Sequence, residues 1–303
     1  ATRMTQRHFG TTAQGAAVDA FTLVGAGGTT AEFIELGASL TSLKVLVDGT
    51  SREVVLGCDD LAGYEGQEAY LGAVVGRCAN RTAGGQLHLD GVVHQLDLNH
   101  GPHHLHGGAM GLSSQVWAGE FREDARGPSV RFVCTSPAGQ GGYPGALQVS
   151  VDYTLDADSR LWMEFSAVTD APTAVNLTNH AYFNLGGEGC LDCKGHTVQV
   201  LSERWMETDD ERIPTGQLLS VEGTPLDLRE PQRLEEVFAE VHPVLEDCGG
   251  YDHTLVVEDR GPGVHEVARV PSPDDRLQMR VWTDQPSLQL YTGNFMAGTP
   301  ARG

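Results

Sequence analysis

Hydrophobic and polar positions alternate with a period of two over long stretches of this chain, the pattern of strands that bury one face. Leu147, Val149, Val151, Tyr153 and Leu155 share one side of such a run, and after the turn-forming residues 156–160 the alternation resumes at Leu161, Met163, Phe165 and Ala167. The spacing predicts a hairpin. A second is predicted over 87–96, where Asp90 and Gly91 supply the positive φ values that a tight hairpin turn requires. Further strands are expected at 32–47, 130–135, 197–201, 254–258, 277–283 and 288–292. Helical periodicity is confined to short segments near 59–64 and 234–238. Strands do not alternate with long helices and no fixed-period repeat occurs, so the pattern predicts an all-β fold, a large antiparallel β-sandwich or barrel.

Composition narrows the picture. A length of 303 residues with no linker or charge block is expected to form a single domain over 1–303. Glycine, at 38 residues and scattered, exceeds the usual share of about 7% and implies many turns. A formal net charge of −21 repels phosphate backbones and anionic membranes, so neither nucleic acid nor a membrane is expected as a partner. No apolar run reaches the ~18 residues of a membrane span, and the first thirty residues lack a secretory core; the chain reads as cytoplasmic. Six dispersed cysteines read as reduced thiols. Cys190, Cys193 and His196 are group types that zinc takes, but no second Cys-x-x-Cys completes a tetrahedral set, so no metal is expected.

Histidine carries the candidate chemistry, because imidazole gives and takes protons near neutral pH. Four of the twelve crowd into His100-Gly-Pro-His-His-Leu-His106, followed by Gly107 and Gly108. That segment reads either as a loop lining a ligand site or as a solvated His-rich turn. A second cluster, Asn176-Leu-Thr-Asn-His180-Ala-Tyr-Phe-Asn184, mixes amides, a hydroxyl, an imidazole and aromatic rings. Sugars need that mixture, since hydroxyls want directional partners while C–H faces pack on rings; a strand whose polar groups bond neighbouring loops is the other reading. Gly249-Gly-Tyr-Asp252-His253 sets a carboxylate beside an imidazole, Gly76-Arg-Cys-Ala-Asn80-Arg81 offers a cation and an amide, and Gln285-Pro286 precedes Tyr291-Thr-Gly-Asn294-Phe.

Taken in order, these segments resemble the aldose 1-epimerase (galactose mutarotase) family. The resemblance runs from His8-Phe9-Gly10 through Leu71-Gly-Ala-Val-Val-Gly-Arg-Cys-Ala-Asn-Arg81, Leu105-His-Gly-Gly108, Gly142-Tyr-Pro-Gly145, the Asn176 to Leu185 segment and Gly250-Tyr-Asp-His253 to Tyr291-Thr-Gly-Asn-Phe295. It implies a large antiparallel β-sandwich that binds a free aldohexose and interconverts its α and β anomers without a cofactor. In this resemblance His180 is the acid that protonates the ring oxygen O5, and His106 the second histidine at the anomeric region. Asn80, Arg81, Asp252 and Gln285 are then contacts to sugar hydroxyls, and Arg77 is structural.

The implied mechanism is stepwise. A base removes the C1 hydroxyl proton while an acid protonates O5, the ring opens, the C1–C2 bond rotates, and the reversed transfers close the other anomer. Both groups are therefore expected to titrate near the working pH. In the family the base is a glutamate in a segment after the Thr-Gly-Asn-Phe strand; here the last glutamate is Glu266, and only Met296 to Gly303 follow Phe295. No base is assigned, and the sequence is expected to omit a tail that the full protein carries. The competing reading is a non-catalytic carbohydrate-binding or regulatory protein with the same cleft, followed by a metallohydrolase built on the clustered histidines. A hexose 6-phosphate would call for more Arg or Lys than Arg77 and Arg81 to meet its dianion, so a neutral sugar is expected.

Overall fold

The computed structural model describes residues 3–302 and gathers the chain into two compact units. Among the described residues one comprises 3–46, Ser51–Phe183 and 299–302, the other Val47–Thr50 and Asn184–Gly298.

In the first unit, β1 (Met4–Thr11), β2 (Ala17–Val24), β3 (Thr30–Ile34), β4 (Ser39–Val47) and β5 (Thr50–Glu53) form a five-stranded sheet in sequence order. The short helix α1 (Leu61–Glu65) starts where Asp60 accepts a hydrogen bond from the Gly63 N–H at 3.0 Å, an N-cap that satisfies a free donor of the first turn. Then come the small strands β6 (Val74–Val75), β7 (Arg81–Thr82), β8 (Gln86–Leu89), β9 (Val92–Gln95) and β10 (His104–Leu105). An antiparallel meander follows, of β11 (Ala118–Arg122), β12 (Ser129–Ser136), β13 (Leu147–Leu155) and β14 (Leu161–Thr169); β15 (Thr178–Asn179) pairs back on β6.

Two sheets meet face to face in this unit, as alternation requires. Phe21 and Leu23 of β2, Phe33 of β3, Val130 and Phe132 of β12, and Val149, Val151 and Tyr153 of β13 are buried in one cluster. Phe33 stacks on Tyr153 at 4.1 Å between centroids, and Phe21 meets Phe132 edge-on at 5.4 Å. Each such burial stabilises by about 1.5–3 kcal/mol, which is what holds the sheets together.

Both predicted hairpins form. Leu155 faces Leu161 across the β13–β14 turn, where Asp156 accepts from the backbone N–H groups of Asp158 and Arg160 at 2.9 Å each. Leu89 faces Val92 across Asp90 (φ 49°) and Gly91 (φ 77°). The strand expected over 32–47 is instead two strands, because Gly37 (φ 68°) and Ala38 (φ 47°) turn the chain between Ile34 and Ser39. The turn residues Leu36 and Ala38 are buried, so hydropathy does not mark the break. Strands β1, β2 and β11 were not expected from the alternation.

The second unit holds β16 (Thr197–Val200), β17 (Arg204–Thr208), β18 (Pro214–Ser220), β19 (Gln232–Arg233), the short helices α2 (Leu234–Phe238) and α3 (Pro243–Glu246), then β20 (Asp252–Val256), β21 (His265–Pro271), β22 (Gln278–Thr283) and β23 (Ser287–Tyr291). They form two four-stranded sheets, ordered β19-β16-β21-β22 and β18-β17-β20-β23. Val198, Val200, Trp205, Leu228, Tyr251, Leu255 and Val267 make their core. Helix α2 coincides with the periodic segment at 234–238, and α1 lies two residues beyond the start of its expected span. Among the described residues no helix is long and apolar enough to cross a membrane, and no three His, Cys, Asp or Glu side chains are grouped to hold a metal ion.

Candidate active site

One stretch of the first unit, residues 70–82, brings the two singled-out histidines together by pairing on both sides. Its β6 pairs antiparallel with β15, setting Val75 opposite Thr178 and Val74 opposite Asn179. The chain then delivers His180, whose N–H donates to the Ala73 carbonyl at 2.8 Å. Asn179 ties that strand to the core, donating to the Gly72 carbonyl at 2.9 Å and to the Tyr153 hydroxyl at 3.2 Å. Further along, β7 pairs with β10, Arg81 opposite Leu105 and Thr82 opposite His104, and the next residue is His106. The imidazoles of His106 and His180 end 5.2 Å apart between centroids with their planes at 83°.

His106 is held by its own backbone frame. Its N–H donates to the Asn80 carbonyl at 3.0 Å, and the Asn80 N–H donates to its Nδ1 at 2.9 Å. A ring nitrogen that accepts from an amide carries no proton, so in the neutral ring the proton sits on Nε2, which is a donor. Burial pushes its pKa down to about 3, with the facing His180, Arg81 and His100 adding to the effect. His106, which the resemblance makes neither the acid nor the base, thus titrates well below neutral pH. It is a neutral hydrogen-bond donor, because the same tight packing that orients it removes the water an imidazolium needs. Tyr70, Asn80 and His106 all have positive φ, 58°, 65° and 50°, an uncommon conformation for residues with side chains and one that concentrates at functional sites.

The rest of the His-rich loop braces this geometry. His104 is fully buried, its Nε2 2.6 Å from the Tyr143 hydroxyl and its Nδ1 2.7 Å from the Asp97 carbonyl and 2.9 Å from that residue's carboxylate. His103 accepts from the Gly84 N–H at 3.0 Å. With His103 and His104 buried, the segment is not a solvated turn. Arg77 is buried too, its guanidinium donating to Ser136, Pro137, Pro144 and Thr173 oxygens at 2.9–3.2 Å and lying over the Tyr143 ring at 5.3 Å. Those bonds make it the structural residue the resemblance implies.

Asn80 and Arg81 adjoin this pair: Asn80 Oδ1 accepts from the Arg81 N–H at 3.0 Å and approaches its guanidinium at 3.4 Å. Asp252 and Gln285 belong to the second unit. On β20, alternation sends His253 inward, where its Nδ1 accepts from the Asp252 N–H at 2.9 Å and its Nε2 lies 3.0 Å from the Val244 carbonyl. Burial lowers the His253 pKa. The Asp252 carboxylate faces Arg212 at 3.6 Å and accepts from Gln289 Nε2 at 2.9 Å. Arg212 in turn lies over the Phe295 ring at 4.4 Å. Asp252 pairs with Tyr291, whereas Gln285 lies beyond Ser287 at the other end of β23, with its amide bonded to Asp284 at 2.8 Å. At about 3.3 Å per residue the ends of β23, four steps apart, are roughly 13 Å from each other, so Gln285 does not bond Asp252. Gln289, which the sequence reading did not single out, does. It alternates with Tyr291 on a strand whose pairing partner was not readable from sequence. In the same unit His196 accepts from the Leu185 N–H at 2.9 Å through Nε2 and lies 3.0 Å from the Cys193 carbonyl through Nδ1, so both ring nitrogens are committed to backbone.

A mostly β fold thus sets two imidazoles, a residue type able to give and take protons, against each other. Comparison with known proteins gives the family. A family model described as Aldose 1-epimerase matches residues 19–302. The chain is 38% identical over 277 residues to the aldose 1-epimerase of Escherichia coli (strain K12), covering 91% of this chain and 79% of that protein. It is 40% identical over 272 residues to the galactose mutarotase of Bos taurus, covering 88% and 75%. The crystal structure of galactose 1-epimerase from Lactobacillus acidophilus NCFM superposes with a TM-score of 0.86 at 27% identity, over 97% of this chain and 84% of that one. The chain belongs to the aldose 1-epimerase family, with its galactose mutarotase-like fold, and is an isomerase acting on an aldose.

Proposed function

We propose that this chain interconverts the α and β anomers of free aldohexoses such as galactose and glucose, with His180 protonating the ring oxygen and His106 donating a hydrogen bond from Nε2 at the anomeric region. The observation that carries this reading is the perpendicular imidazole pair at 5.2 Å. Ring opening delivers a proton to O5 while the C1 hydroxyl proton passes to a base, a role to which no residue of 1–303 is assigned, and it needs a donor for the oxygen on which charge changes. With Nδ1 of His106 occupied by the Asn80 N–H, that ring offers only donation, which leaves the proton transfer to His180. Asn80, Arg81, Asp252 and Gln285 serve as contacts to sugar hydroxyls, and residues 1–303 form a single aldose 1-epimerase-like domain. The chemistry so described consists of proton transfers alone.

Polarimetry on freshly dissolved α-D-galactose and α-D-glucose tests the reading. The protein should speed the decay of rotation above the buffer rate, and His180→Asn should slow it by about 10²- to 10⁴-fold. A parent no faster than buffer, or a variant as fast as the parent, overturns it. A sugar-induced thermal shift without faster decay would identify a sugar-binding protein instead.

A further inference from the structure

Three rings meet at the start of the 70–82 stretch. Tyr70 packs edge-on against His106, centroids 4.8 Å apart and planes at 78°, and lies tilted against His180 at 5.6 Å and 34°. With the imidazoles 5.2 Å from each other, the three centroids close a triangle. His180 has a second tyrosine on it, Tyr182, at 5.1 Å and 46°.

The backbone that presents Tyr70 is built for the purpose. Its φ of 58° lies in the left-handed region that bulky side chains rarely occupy, so the surroundings must hold it there. They do. Gln67 Oε1 accepts from the N–H groups of Ala69 at 2.8 Å and Leu71 at 3.3 Å, on either side of Tyr70. The Tyr70 carbonyl accepts from the Ala73 N–H at 3.1 Å. Tyr182, the other ring on His180, donates from its hydroxyl to the Ala69 carbonyl at 2.8 Å. The Tyr70 side chain is only partly buried, and its contacts with the two imidazoles are made by the ring.

We propose that Tyr70 is a positioning residue for the imidazole pair: its ring keeps His106 and His180 near perpendicular and excludes water from the face they share. The proposal rests on the acid–base reading of those histidines. His106 has one hydrogen bond to its ring, from the Asn80 N–H to Nδ1, and one bond is a pivot about which a ring can swing. The edge contact from Tyr70 removes that freedom. It also covers apolar ring surface that water would otherwise reach, and exclusion of water is the leading reason His106 resists protonation. The titratable and charged groups facing His106 are His180, Arg81 and His100. All three remain in the chain when Tyr70 is replaced, so a change in His106 titration then reports the lost shielding and positioning by the Tyr70 ring.

Tyr70→Leu and Tyr70→Phe separate the ring from the hydroxyl. Tyr70→Leu should lower kcat for galactose mutarotation by about 10- to 100-fold, the size of effect that misplaced catalytic groups produce, with KM changed less than about threefold. Tyr70→Phe should stay within about threefold of the parent in both constants. Proton NMR of the His106 ring should show a midpoint near the parent's value of about 3 in Tyr70→Phe. In Tyr70→Leu it should rise by about one pH unit or more as water enters. A folded Tyr70→Leu with parental kcat and parental His106 titration overturns the proposal, and so does a Tyr70→Phe as slow as Tyr70→Leu. Should Tyr70→Leu not fold, Tyr70→Met, of similar reach but without a planar ring, takes its place. If the parent itself does not accelerate mutarotation the acid–base reading fails, while the His106 titration across the same proteins still decides whether Tyr70 shields the pair.

Discussion

Asn80 and His106 hold each other through two hydrogen bonds, the His106 N–H to the Asn80 carbonyl at 3.0 Å and the Asn80 N–H to His106 Nδ1 at 2.9 Å. The second bond uses the lone pair that a proton would need. Protonation of His106 must therefore break it, and burial, with His180, Arg81 and His100 adding to the effect, pushes the pKa of the ring down to about 3.

Acid should destabilise this protein through that site. In the unfolded chain His106 titrates near the ordinary value of about 6.5, while the folded protein refuses the proton until about pH 3. The full stability contribution is present above pH 6.5 and is lost as the pH falls towards 3, at roughly 1.4 kcal/mol per pH unit for one such site. His196 and His253, whose pKa values burial also lowers, act in the same direction. Urea unfolding at pH 7.5, 6 and 5 should give steadily falling midpoints, and His106→Asn should flatten the slope. Midpoints that rise on acidification would contradict the assignment of these three as buried neutral groups.

Gly107 is expected to tolerate no side chain. A Cβ there would lie 1.7 Å from the Gly76 carbonyl oxygen, and its φ is 88°. Gly107→Ala should cost about 1–3 kcal/mol through backbone strain and forced movement of the neighbouring stretch. Because Gly107 follows His106 and Gly76 precedes Arg77, kcat should fall with stability; thermal unfolding and polarimetry on one preparation read both.

Arg77→Lys should behave as a severe change although charge is kept. A planar fork reaches Ser136, Pro137, Pro144 and Thr173 together, and an ammonium on a thinner stem meets fewer of those acceptors. Leaving buried carbonyls unpaired should cost about 2–4 kcal/mol in urea unfolding. A loss below about 0.5 kcal/mol, the scale of an ordinary surface substitution, would mean that this network is not what holds the site's floor.

Asp252→Asn and Gln289→Leu should raise KM more than they lower kcat, by about tenfold for the carboxylate, because hydroxyls remote from C1 bind alike in ground and transition states. Steady-state polarimetry on galactose over a concentration series distinguishes these outcomes.

Several features were legible from the sequence because they depend on near neighbours. Alternation in 147–155 and 161–167 is a property of pleated backbone, and Asp90-Gly91 closes its hairpin by local φ preferences alone. The position of His180 among amides and aromatics was equally visible. The break at Gly37 and Ala38 was not, because a buried turn keeps its apolar side chains. Nor was the bond from Gln289 to Asp252, since it depends on how β20 and β23 pair.

By itself, then, the order of residues determined the strand periodicity, the excess of negative charge that disfavours polyanionic partners, and the motifs that mark the family. Tertiary structure decided how closely and at what angle His106 meets His180, that Tyr70 completes the ring triangle, and which nitrogen of His106 bears its proton. The reason is physical. Hydropathy and turn preference act over a few adjacent residues, whereas tautomer, basicity and ring orientation are set by groups that arrive from chain segments many residues away and by the water they displace.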